Sequence, residues 1–146
     1  MATQCDSRFG FRFQRKLSIN FAGGEITSDP GLVLLREFDE RLGLSAGLAK
    51  LWLDPRDERY TIHRGLDLLR QRIYQIAGGY EDANDATFLR HDATIQTIVG
   101  KREGALASQP TLSRLENGAP WEPIRLLENE GTEWFCRHEA KRGKRQ

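Results

Sequence analysis

The residue types best suited to chemistry fall between Lys101 and Arg114. Lys101 and Arg102 sit in a charged turn bracketed by Gly100 and Gly104, and Gln109, Thr111, Ser113 and Arg114 follow closely behind Ser108. Long cations beside short amides and hydroxyls at a helix start are groups that reach phosphate oxygens and base edges. The helix end adds partial positive charge for a phosphate. The same residues are also ordinary capping chemistry, and both readings stand on the residues alone.

Two other constellations carry less. Glu81, Asp82, Asp85, His91 and Asp92 place four carboxylates and an imidazole within a dozen residues. Oxygen ligands of that kind can hold a divalent ion, but the spacing follows no Ca²⁺ loop or zinc pattern. Asp82, Asp85 and Asp92 stand where helix caps belong, so no metal site is expected here. Cys136 lies beside Arg137 and His138, and an adjacent cation can lower a thiol pKa. No third partner accompanies it. With Cys5 near the other end, the pair fits reduced thiols better than a disulfide framework. Gly23-Gly24 lacks the Lys-Ser/Thr that a phosphate-binding loop requires.

The chain has 146 residues, one domain's worth, with 38% apolar and 29% charged residues and a net charge of +1. The balance is uneven along the chain. Residues 1–16 carry +3 and residues 137–146 carry +4, which leaves −6 for the middle. Basic ends on an acidic body can suit a partner with phosphates. The longest aliphatic run, Leu32 to Leu35, is far short of a membrane span, and MATQCDSRFG has no apolar signal core. No membrane association is expected, and a cytoplasmic location is.

The elements that must position these groups are mostly helical. Residues 9–21 alternate, with Phe9, Phe11, Phe13, Leu17, Ile19 and Phe21 on one side and Arg12, Gln14, Lys16, Ser18 and Asn20 on the other. This period predicts a short N-terminal β-strand or hairpin with a basic face. Pro30 suits a first helical turn, and Leu32, Leu35, Phe38 and Leu42 recur towards Gly43, a natural stop. Leu48, Leu51 and Trp52 suit a second short helix. Ile62, Leu66, Leu69, Ile73 and Ile76 form one apolar stripe over 61–77. Asp92 can cap 93–99, with Ile95, Ile98 and Val99 inward, and Ser108 can cap a helix from Gln109 to Asn117. The last two read as helix, turn, helix. The fold class is therefore mainly α. Residues 1–25 form a basic strand or hairpin, 26–117 a helical region, and 118–146 a divergent, partly disordered basic tail.

Seven strings resemble, in order, the N-terminal region of DDE-type transposases of bacterial insertion sequences. They are FAGGEITSDPG (21–31), LLRE (34–37), DPRD (54–57), LRQRIY (69–74), GYEDAND (79–85), LRHD (89–92) and LASQPTLSRLEN (106–117). The resemblance implies a helical, helix-turn-helix-like N-terminal region and a role in transposition. The family's chemistry is strand cleavage and transfer by three acidic residues that hold two divalent ions. Its first catalytic Asp follows shortly after the SRLEN string. The 29 residues after Asn117 contain no Asp, so no catalytic residue carries over and no cofactor is expected in this chain. Magnesium is implied only for a missing catalytic domain, and a truncated transposase is expected.

The expected partner is duplex DNA at terminal inverted repeats. Lys101, Arg102, Gln109, Thr111, Ser113 and Arg114 are the expected contacts, with Arg12 and Lys16 as phosphate neighbours. The alternative is a protein-interaction module that pairs with itself or with the full-length transposase, or an inhibitory fragment without DNA specificity of its own.

Overall fold

Pro30 opens the first helix because its missing N–H falls among amides that a helix start leaves unpaired anyway. Helix α1 runs Pro30–Leu42 and stops at Gly43, whose φ of 68° is left-handed backbone that a Cβ disfavours. The computed structural model describes residues 9–19, 28–52, 54, 56–101, 103–118 and 121–143. Six further helices follow among them: α2 (Leu44–Leu51), α3 (Gly65–Ala77), α4 (Ala86–Leu89), α5 (Ala93–Val99), α6 (Gln109–Asn117) and α7 (Trp121–Gly143). Short 3-10 turns lie at Glu58–Tyr60 and Ala83–Asp85.

Two apolar clusters hold these elements. The first joins Phe11, Leu32, Val33, Tyr74, Ile95, Ile98, Val99 and Leu106, so it ties the N-terminal segment, α1, α3 and α5 together. The second joins Leu68, Ala86, Ala107 and Leu112, with Leu115 against it, and seats α6 on α3 and the Ala83–Asp85 turn. Full burial of a leucine, isoleucine, valine or phenylalanine side chain contributes roughly 1.5–3 kcal/mol. Helices α5 and α6 thus belong to different clusters. Residues 100–108 separate them, longer than the three or four residues that join a helix-turn-helix pair.

The expected strand over 9–21 needs correction. Phe9–Gly10 and Ser18–Ile19 meet only as two-residue antiparallel segments. Between them the chain bends and turns, and Leu17 N–H donates to the Gln14 carbonyl at 3.1 Å. The physical reason lies in α1. The Glu37 carboxylate accepts the Arg12 N–H at 2.7 Å, so the backbone pairs with a helix side chain instead of a strand. The alternation still picked the inward side: Phe11 is buried, and Phe13, Leu17 and Ile19 pack against the first cluster. Phe21 lies outside the described residues.

The face of α3 also differs from the expected stripe. Ile62 is 83% exposed and Ile76 50% exposed, whereas Leu68, Gln71, Tyr74 and Gln75 are buried. The buried face keeps the helical rhythm but is half polar. Gln71 and Tyr74 are accepted in the interior because each has hydrogen-bond partners there. A count of apolar residues cannot see this.

Where a divergent and partly disordered tail is expected, Trp121–Gly143 forms one helix that packs along α2. Its described side chains are mostly exposed, Leu126 and Phe135 among them. No helix among the described residues is long and apolar enough to cross a membrane.

Candidate nucleic-acid interface

The capping residues settle first. Asp82 accepts the Asn84 N–H at 2.8 Å, and Asp92 accepts the Ile95 N–H at 2.8 Å. Both carboxylates are committed to helix starts. Among the described residues, no group of three or more His, Cys, Asp or Glu is gathered to hold a metal ion. The described residues therefore gather no donor set for a pair of divalent ions.

At α6 the polar side chains face one another. Gln109 Nε2 donates to Ser113 Oγ at 3.0 Å, and the hydroxyls of Ser108 and Thr111 bond each other at 3.1 Å. Ser108 stands at the N-cap, but its hydroxyl caps no backbone amide. Gln109, Thr111 and Ser113 are half-buried, and Arg114 in the last turn is exposed. The helix is anchored from behind. Gln71 Nε2 donates to the Ala107 carbonyl at 3.0 Å and Gln71 Oε1 accepts the Ala107 N–H at 3.0 Å. Arg72 on α3 pairs with Glu116 on α6.

Lys101 is not beside these groups in any contact described. Its Nζ lies 3.4 Å from Nδ1 of His63. His63 holds its pKa below the ordinary value, because burial penalises the imidazolium and the Lys101 charge adds to that; Arg90 and Arg56 act the same way and Asp67 opposes. Arg102 lies outside the described residues. Arg12 and Lys16 are exposed on the N-terminal segment, which docks on α1 through Glu37 and through Phe13, whose ring lies 5.0 Å beneath the Arg36 guanidinium. The expected contacts thus divide into an α6 group, a Lys101–His63 group and an N-terminal group. His63, Arg90 and Arg56 were missed by sequence reasoning because three separate segments bring them together.

A buried polar network holds α1, α2 and α3 in register. Asp39 accepts from Ser45 N–H at 2.7 Å, from Ser45 Oγ–H at 2.6 Å and from the Tyr74 hydroxyl. Arg70 Nε donates to Ser45 Oγ at 2.9 Å, and Arg36 and Arg70 both lie within ion-pair distance of Asp39 and Glu40. Burial works against the Asp39 carboxylate, but the Ser45 and Tyr74 hydrogen bonds and the Arg70 charge prevail and hold its pKa below the usual range. The Tyr74 hydroxyl is pushed far up, by burial and by its bond to Asp39.

Comparison with known protein families assigns the class, a transposase. The family described as transposase DDE domain, group 1, matches residues 9–141, and the chain belongs to it. The match continues through most of α7, past Asn117 where the quoted strings end. No curated protein and no solved structure matches the chain.

Proposed function

We propose that this chain is a DNA-binding part of a DDE transposase that recognises the ends of its element, and that strand cleavage is not carried by the residues described. The family match over 9–141 carries the reading. Two features of the structure support it. Arg114 leaves α6 exposed, and Arg12, Arg15 and Lys16 are exposed with no ion pair among the described residues. In this reading Gln109, Thr111, Ser113 and Arg114 meet base edges or phosphates, and Lys101, Arg102, Arg12 and Lys16 meet the backbone. The acidic residues serve as caps and helix-pinning groups.

The test is fluorescence anisotropy with a labelled duplex from either terminus of the element, against a scrambled duplex of equal length, over a salt series. Tighter binding to the terminal duplex is expected, with affinity that falls steeply as salt rises. Arg114→Ala weakens binding by about 1–3 kcal/mol if it reads a base, or lowers the salt slope by about one if it meets a phosphate. Equal affinity for both duplexes refutes recognition of the ends.

One observation favours a second reading, self-association. Leu34 and Phe38 lie one turn apart on α1, each 55% exposed. Sedimentation over a range of concentrations separates the two, since a strict monomer removes it.

A further inference from the structure

We propose that His63, Lys101 and Arg90 form a phosphate-binding cluster that takes up a proton when it is filled. For its natural ligand the inference rests on the DNA-binding reading above, with the phosphodiester backbone as the source of phosphate.

Three segments far apart in sequence build the cluster. His63 lies just ahead of α3, Arg90 just after α4 and Lys101 just after α5. The Lys101 ammonium stands 3.4 Å from the His63 ring nitrogen. The Arg90 Nε is buried and has no hydrogen-bond partner among the described residues. Neither Lys101 nor Arg90 has an acidic group at ion-pair distance among those residues. The segments are held in place. Gln96 Nε2 donates to the carbonyls of Arg90 and Gly104, Leu106 N–H donates to the Arg90 carbonyl at 2.9 Å, and Lys101 N–H donates to the Gln96 carbonyl at 2.9 Å.

The charges that act on His63 are Lys101, Arg90 and Arg56 on one side and Asp67 on the other. Arg56 is already engaged by Asp54 through two hydrogen bonds, at 2.7 and 2.5 Å, and also donates to the His63 carbonyl at 3.0 Å. Among the described residues, Asp67 in the first turn of α3 is the acid whose charge acts on the imidazole against these cations. Such a set is costly without an anion, because like charges at short range repel. Burial and the neighbouring cations disfavour the imidazolium, and the neutral ring can accept from Lys101 at Nδ1. A phosphate brings negative charge against the ring and favours the imidazolium, which then donates alongside Lys101 and Arg90. Binding therefore takes up a proton, and affinity rises as pH falls through the ordinary histidine range of about 6.5.

The test follows the three imidazoles by NMR in the full chain, in inorganic phosphate and in chloride at matched ionic strength. His63→Gln identifies the resonance. Phosphate is expected to raise the His63 pKa. Lys101→Met and Arg90→Met each diminish the rise, and Lys50→Gln, a charge loss on α2, leaves it. With duplex DNA, affinity should increase as pH falls below about 6.5 in the wild type but not in His63→Gln, and Lys101→Met should lower the salt slope by about one. A His63 that titrates alike in both salts overturns the cluster, even where DNA is bound. A phosphate-dependent His63 in a chain that ignores duplex DNA instead overturns the DNA reading and leaves the cluster as a site for free phosphate.

Discussion

Replacing Asp39 by Asn tests whether the buried network, rather than apolar packing alone, locks α1 to α3. Asp39 is 5% exposed and accepts three hydrogen bonds while two arginines lie 3.9 Å away. The carboxamide keeps the shape but loses the charge, and its NH₂ must face either the Ser45 N–H or both the Ser45 and Tyr74 hydroxyls. Removal of one partner from a buried ion pair costs roughly 3–5 kcal/mol. Glu40 moderates this, since it stays within 2.7 Å of Arg36 and 3.9 Å of Arg70 and is itself partly exposed. The lower end, about 3 kcal/mol, is therefore expected. For a chain of this size that corresponds to a fall in Tm of roughly 6–12 °C. Urea unfolding gives the same difference from the midpoint shift at constant slope. The sign with pH follows from the depressed pKa. The carboxylate's contribution is present above its unfolded pKa and is lost as pH falls through the lower folded one, so the Asp39→Asn variant loses this part of the acid limb. Tyr74→Phe should cost about 1.5–3 kcal/mol alone and much less when combined with Asp39→Asn. An Asp39→Asn variant within about 0.5 kcal/mol of the wild type at neutral pH would show that the network does not hold the helices.

His63 gives a second acid-side signature. Its folded pKa lies below its unfolded value, so stability falls as pH drops through about 6.5, and His63→Gln should flatten that part of the curve in thermal melts. Gln71→Leu strands both the N–H and the carbonyl of Ala107 in the interior. At roughly 1–3 kcal/mol for each stranded group, a loss of about 3 kcal/mol by urea unfolding is expected, with faster amide exchange at Ala107. Gly100 holds a φ of 95° at the end of α5, so Gly100→Ala should cost about 1–2 kcal/mol by the same assay, although no atom obstructs the new methyl.

The helices with strong local signals were legible. Pro30, Gly43, Asp92 and Ser108 mark ends that the structure keeps, and the inward residues Ile95, Ile98 and Val99 follow from spacing alone. The misreadings share one cause. The apolar stripe of Ile62, which lies ahead of α3, and Leu66, Leu69, Ile73 and Ile76 on it is only partly buried, because Gln71 and Tyr74 find partners ahead of α6 and on α1 that no local pattern encodes. In residues 9–19 the alternation gave the inward side chains but not the backbone, whose N–H at Arg12 goes to Glu37, 25 positions on. In α7 no apolar period persists in the sequence, and the described side chains of Leu126 and Phe135 are exposed. The same limit governs the interface. Lys101 was picked out as a cation in a turn, but its neighbour His63 comes from a segment 38 positions earlier, and Arg90, which acts on the same imidazole, from another, so only the folded chain juxtaposes them.

The reciprocal bonds between Gln71 and Ala107 serve α6 much as a neighbouring strand serves a ribbon edge. A force on the front of α6 passes into the middle of α3 through two short N–H···O links, bypassing the glycine-bracketed turn at residues 100–104. The helix is mounted like a bracket bolted from the rear. Its aim is set by an amide that nothing resting on its outer surface ever touches.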